Sequence, residues 1–218
     1  MAGRFDLVLF DIGGVIGDID RDGLVSAAMN AGRDPLGTVA FVRSAYDDGA
    51  DEDHPLHRAE RGEIVLAEFL RLAEEMAPGA GFLFDPDSPG YLLRFLTPSV
   101  VWAEIAVATR DRGIRIGALS NTMDFVSGAD IARQNPALHS LTRGLFGDDI
   151  LESHVLRARK PERAAFTAAT SYFDVEPARV LFIDDEIENC KGAERVGMTA
   201  LHNHGTTGPA LARELLTL

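Results

Sequence analysis

The sequence predicts an α/β fold: a parallel sheet wound with helices, carrying a helical insertion after its first strand. Three observations carry this expectation. Short apolar runs of strand length recur at residues 5–10, 114–119, 179–183 and, more weakly, 199–202. Helical patterns occupy the intervals at residues 99–111, 162–173 and 186–196, so strand and helix alternate. Residues 20–96 break that rhythm, because no convincing strand lies there.

Taken in order, the first run reads LVLFDIGGVIGD over residues 7–18 and ends on Asp11. A carboxylate at the carboxyl end of a buried strand stands at the crevice where open α/β sheets bind ligands. Gly13 and Gly14 then let the backbone turn sharply and approach a ligand closely. The insertion reads as helices at 21–31, 35–44 and 63–76, with loops at 47–55 and 78–89. Its position predicts a lid, and the expected division is a core of residues 1–19 and 97–218 with a cap of residues 20–96. The plainer alternative is that these helices simply cover the sheet. The second apolar run ends IGALSNT, placing Ser120 and Asn121 at a strand end. Lys160 opens a helix in ARKPERAAF, and the third run, FIDD at 182–185, ends on Asp184 and Asp185. Residues 209–218 form a short closing helix.

A chain of 218 residues fits one large domain or a core with an inserted subdomain. The net charge of −13, from 21 basic and 34 acidic residues, argues against nucleic-acid and membrane-surface partners. An anionic substrate then depends on a few Lys, Arg or backbone N–H groups. The single cysteine, Cys190, permits no intrachain disulfide and fits a reducing compartment. The first residues show no basic segment before a long apolar run, and no stretch reaches 18 apolar residues, so the expected location is the cytoplasm.

In a parallel sheet every carboxyl end points to one edge, so Asp11, Ser120, Asn121, Lys160, Asp184 and Asp185 can converge. Gathered acids at strand ends point to a Mg²⁺ site beside a carboxylate nucleophile. Asp11 can attack phosphorus and form an aspartyl-phosphate. Asp11, the Gly13 carbonyl, Asp184 and Asp185 supply hard oxygen ligands for Mg²⁺. Ser120, with Asn121 and the surrounding N–H groups, can hold phosphoryl oxygens, and Lys160 neutralises phosphate and nucleophile. Each element has a plainer reading when taken alone. Asp11 can cap a helix, Ser120-Asn121 can be a turn pair, Lys160 can be a solvated lysine, and Asp184-Asp185 can cap the helix at Glu186. Their joint occurrence in one order carries the argument.

In FDIGGVI, LSNT, KPERAAF and FIDDEIENCKGAERVGM the chain resembles the haloacid dehalogenase superfamily of phosphatases. The likeness covers most of the chain. GGVIGDID looks most like the sugar-phosphatase branch, related to α-glucose-1-phosphatase and the phosphatase domain of epoxide hydrolases. The resemblance implies a Rossmann-like core, Mg²⁺, Asp11 as nucleophile, Ser120 and Lys160 on phosphate, and Asp185 on the metal with Asp184 nearby. The implied substrate is a small phosphorylated metabolite, a sugar phosphate by preference. One departure matters: most phosphatases of the superfamily carry a second aspartate two positions after the nucleophile, and here Gly13 stands there. General acid–base help is worth about 10²–10⁴-fold. Without it, the leaving group is good on its own, or another acid substitutes (Asp18, Asp20 or a cap residue), or hydrolysis is slow. A dehalogenase and a non-catalytic phospho-ligand or protein-binding relative are the alternatives. The paired acids of FIDD favour the phosphatase.

The remaining features take plain readings. His54 and His57 lie in the charged string DEDHPLHRAERGE and read as solvated surface. His202 and His204 read as structural, Cys190 and Met198 as core, and His154 as shaping the loop before Lys160. Phe82, Phe84, Tyr91 and Phe95 read as anchors for the chain's return to the core.

Overall fold

The computed structural model describes residues 4–30, 34–46, 51–78, 91–126 and 128–218. Its centre is a five-stranded parallel sheet in the order β5-β4-β1-β6-β7. The strands are β1 (Leu7–Phe10), β4 (Arg115–Ser120), β5 (Ile150–Glu152), β6 (Val180–Asp184) and β7 (Thr199–His202). All four residues of β1 and all five of β6 are buried, as expected for strands covered on both faces. Alternate residues of β1 feed two cores. Val8 and Phe10 pack with Trp102 and Ile105 of α5 (Val100–Asp111), Leu138 and Phe146 of α7 (Pro136–Phe146), and Leu216 of α11 (Thr207–Leu216). Leu7 and Leu9 pack with Phe166 and Phe173 of α9 (Arg163–Phe173) and Ala193 of α10 (Ile187–Arg195). The period-2 pattern of a strand thus places β1 between two helical layers.

Between β1 and α5 the chain forms a small antiparallel pair, β2 (Gly17–Ile19) with β3 (Leu96–Pro98), in register Ile19 to Leu96. Between its two strands run α1 (Arg21–Asn30), α2 (Pro35–Ser44), α3 (Pro55–Glu60) and α4 (Leu66–Met76). Three of these helices share a separate apolar cluster: Phe41, Leu56, Ala59, Phe69 and Ala73, with Ala45 and Ile64 from the turns. Helices α2 and α3 begin on side-chain caps, Asp34 accepting from the Leu36 N–H at 2.9 Å and His54 accepting from the Leu56 N–H at 3.1 Å, each followed by proline.

Several expectations shift. Strand β5 has only three residues, and β2 and β3 have three each, too short to show a periodicity. Helices α6 (Gly128–Gln134) and α7 were not anticipated. The third insertion helix starts at Leu66, three residues later than expected. Most of the expected loop at 78–89, with Phe82 and Phe84, lies outside the described residues. His54 and His57 are not solvated: they are 3% and 5% exposed. His57 Nε2 lies 2.6 Å from the Ala45 carbonyl. Among the described residues no helix is long and apolar enough to cross a membrane.

Candidate active site

Asp11 follows β1 directly, and its N–H donates to the Ile183 carbonyl of β6 at 2.9 Å. The site therefore begins in the middle of the sheet. Asp11 Oδ1 accepts from the Ile12 N–H at 2.7 Å and lies 2.8 Å from Lys160 Nζ. The ammonium reaches on to Asp184 Oδ2 at 2.7 Å, so one buried lysine bridges the ends of two neighbouring strands. Burial opposes the charge on Lys160, but Asp11 and Asp184 outweigh it and hold its pKa above that of ordinary lysine.

Asp184 is fully enclosed. Its oxygens also accept from Asn189 Nδ2 at 3.0 and 3.2 Å and from the Glu186 N–H at 2.8 Å. Asp185 points elsewhere, over Gly14. A Cβ on Gly14 would lie 2.1 Å from Asp185 Oδ2, and φ is +73° there, so this position requires glycine. Asp11, Asp184 and Asp185 each offer an oxygen within 4.8 Å of the others. Burial, with the charges of Asp184 and Asp185 against that of Lys160, pushes the Asp11 carboxyl up to about 8. Burial and the charges of Asp184 and Glu186 push Asp185 up to about 6. Buried carboxylates that repel one another and present only oxygen match a hard divalent cation, whose charge would relieve both penalties.

Asn121 holds the lysine in place. Its Oδ1 accepts from the Lys160 N–H at 2.9 Å and its Nδ2 donates to the Lys160 carbonyl at 3.0 Å. Next to it the hydroxyl of Ser153, which opens α8 (Ser153–Leu156) directly after β5, accepts from the Thr122 N–H and donates to the Thr122 carbonyl, joining α8 to the loop after β4. Ser120 is buried at the end of β4, and its hydroxyl makes no hydrogen bond to the described residues. Gly13 lies close by, and a Cβ there would meet no described atom within 4 Å. The six side chains singled out from the sequence thus meet at one sheet edge. Asp18 and Asp20 make no hydrogen bond to these residues. Asp18 is exposed on β2, and Asp20 accepts from the Gly23 N–H at the start of α1.

A second group was not anticipated. Glu60, the last residue of α3, is 3% exposed and accepts from Arg159 Nε, the residue before Lys160. The same oxygen lies 3.4 Å from Asn121 Nδ2. The Arg159 guanidinium stacks 5.5 Å over the Tyr46 ring, and the Tyr46 hydroxyl donates to Glu60 at 3.4 Å. Burial raises the Glu60 carboxyl against the pull of Arg159. Arg61 to Glu162 at 2.9 Å, and Arg157 to the Gly62 carbonyl, complete this seam between α3 and the Lys160 segment. The paired basic residues of ARKP and the acid in HRAERGE are visible in the sequence, but their pairing spans 99 positions and leaves no local signal.

A haloacid dehalogenase-like hydrolase family model matches residues 5–197. Phosphatase MT3486 of Mycobacterium tuberculosis is 32% identical over 111 residues, covering 50% of this chain and 48% of that protein. Mouse acyl-CoA dehydrogenase family member 10 is 29% identical over 204 residues, covering 88% of this chain and 17% of that protein. The match therefore spans about half or less of these relatives. Among solved structures, a HAD family enzyme from Bacteroides thetaiotaomicron, in complex with magnesium and inorganic phosphate, aligns with a TM-score of 0.63 at 22% identity, covering 93% of this chain and 96% of that one. L-2-haloacid dehalogenase from Xanthobacter autotrophicus aligns with a TM-score of 0.65 at 20% identity, covering 98% and 83%. At these identities the two structures establish the shared fold.

Proposed function

Because the chain belongs to the haloacid dehalogenase-like hydrolase family, we propose that it is a Mg²⁺-dependent phosphatase of a small phosphorylated metabolite, working through a phosphorylated Asp11. The observation that carries this reading is the buried bridge Asp11–Lys160–Asp184 with Asp185 beside it. A solved relative holding magnesium and inorganic phosphate, and a curated relative that is a phosphatase, support the same chemistry.

Asp11 attacks phosphorus. An Asp–O–P bond forms, the ester P–O bond breaks, and the alcohol departs with the electron pair and takes a proton from water. Water then attacks the phosphorus of the acyl phosphate, restoring Asp11 and releasing phosphate. Lys160 holds the nucleophile in place and offsets the charge that accumulates on the phosphoryl group. The Ser120 hydroxyl and the N–H groups around Ser120 and Asn121 receive phosphoryl oxygens, while the Asn121 side chain keeps Lys160 in position. Asp11, the Gly13 carbonyl and Asp185 would hold Mg²⁺, with Asp184 in the same cluster but shared with Lys160 and Asn189. When bound, the cation supplies the positive charge that lets two anions approach. Residues 20–96 act as the cap, with α3 seated on the Lys160 segment. Gly13 has no side chain to protonate the leaving group, so the departing alcohol takes its proton from water.

Phosphate release from a panel of esters tests this. The panel holds anomeric and other sugar phosphates, nucleotides and an aryl phosphate, assayed with Mg²⁺ and with EDTA, with Asp11→Asn as the blank. Turnover should need both the metal and Asp11. Full activity in Asp11→Asn would refute the mechanism. Halide release from 2-haloacids without phosphate release would identify a dehalogenase instead.

A further inference from the structure

A cavity of about 330 Å³ opens beside Asp11, on the side of the sheet edge where β4 and β5 end. That is room for a small ligand. Gly13, Ser120 and Asn121 form one part of its lining, so it is continuous with the proposed phosphoryl site. Among the described residues about half of the rest is aliphatic, with Leu93, Leu96, Ile131, Leu138 and Ile150 facing it. Most of the polar groups in the wall are already spoken for. Arg143 pairs with Asp148 at 2.8 Å, and the Thr142 hydroxyl donates to the Leu138 carbonyl at 3.0 Å. His139 and Glu152 remain to meet a polar end of a ligand.

Gly13 belongs to the same arrangement. With open space where its Cβ would stand, the backbone next to Asp11 leaves the cavity mouth clear. A group bonded to a phosphate held by Ser120 and Lys160 can pass over Gly13 directly into the aliphatic chamber. A sugar carries a hydroxyl on almost every carbon, and each one buried against Leu or Ile would lose its water without gaining a partner. An apolar ring or chain loses nothing there and gains burial.

We propose that this cavity receives the leaving group, and that the leaving group is apolar: the substrate is the phosphate monoester of a cyclic or chain alcohol bearing few hydroxyls. This rests on the phosphatase reading and narrows its substrate class away from sugar phosphates.

The test compares kcat/KM for cyclohexylmethyl phosphate and glucose 6-phosphate. Both present a six-membered ring on a primary ester carbon, so leaving-group chemistry is nearly matched and ring polarity differs. Acetyl phosphate serves as a compact control. The expected result is a preference for the cyclohexylmethyl ester of at least about tenfold, within the roughly 10²-fold that an apolar wall achieves against an added hydroxyl. Ile131→Gln and Leu93→Gln, on separate elements, should each reduce that preference several-fold, and cyclohexylmethyl phosphonate should bind the wild-type protein more tightly than methyl phosphonate by calorimetry. Equal or faster turnover of glucose 6-phosphate would overturn the inference and leave the phosphatase standing. So would a preference that both cavity variants leave unchanged. If neither these three compounds nor any ester of the wider panel is cleaved in an Asp11-dependent way, the phosphatase reading fails and this one falls with it.

Discussion

Glu60→Ala probes the seam between α3 and the Lys160 segment, and the outcome can be worked from the structure. Glu60 and Arg159 have side chains that are each 4% exposed. Arg159 Nη2 is already buried without an acceptor among the described residues. Removing the carboxylate leaves the guanidinium in a low-dielectric setting with the Tyr46 ring as its main compensation. Unit charges about 4 Å apart attract by about 4 kcal/mol at an effective dielectric of about 20. Stripping one partner from a buried pair typically destabilises by about 3–5 kcal/mol. Glu60→Ala should therefore lose about 3–5 kcal/mol in urea unfolding at pH 7, with an unchanged m-value. The double variant Glu60→Met/Arg159→Met should lie within about 1–2 kcal/mol of wild type, because apolar replacement of a whole buried pair is often neutral. The assay is the double-mutant cycle of unfolding free energies. A single-variant loss under about 1 kcal/mol, or losses that simply add in the double variant, would show that the two charges are not coupled and that α3 is not anchored here.

The two glycines after Asp11 should differ. Gly14→Ala forces a side chain into Asp185 at positive φ and should weaken Mg²⁺ binding at least about tenfold by calorimetry, whereas Gly13→Ala, whose Cβ meets no described atom within 4 Å, should fold with wild-type stability. Lys160→Met leaves Asp11 and Asp184 without their bridging cation, so kcat should fall about 10²–10³-fold and Mg²⁺ should raise the melting temperature more than it does for wild type. His54 accepts the Leu56 N–H through Nδ1, so its proton sits on Nε2 toward Ser44; burial, then the charges of His57 and Arg159, hold its pKa down at about 4. A depressed folded pKa stabilises fully above the free value near 6.5 and loses that contribution as pH falls through about 4. Stability should accordingly drop by on the order of 2 kcal/mol over that window, and His54→Asn, which keeps the cap acceptor, should flatten the drop in pH-dependent urea unfolding.

The central sheet was legible because β1 and β6 are continuous apolar runs ending on acids, and parallel strands gather those acids at one edge by geometry alone. Asp11, Lys160, Ser120, Asn121, Asp184 and Asp185 come together for that reason. Strand β5 was hidden because three residues cannot display a period, and β2 with β3 because each finds its partner only across the whole insertion. His54 and His57 misled because the surrounding charges look solvated, while burial there comes from α2 and α4 folding over them. The cavity was also invisible. Much of its aliphatic lining comes from β3, α6, α7 and β5, none of which could be placed from sequence, and only Gly13 hinted that space was being kept.

The ladder that pairs Ile19 with Leu96 has a bearing on how this chain tolerates change. The outgoing and returning strands of the long excursion leave the sheet at a single point, fastened to one another before any helix begins. The entropy of closing such an excursion grows only with the logarithm of its length, by about 0.6 kcal/mol for each doubling. Residues can therefore be gained or lost far out along it while the spacing between Asp11 and Lys160 stays put. The centre of the molecule is insulated, by one short strand pair, from variation far out in the insertion.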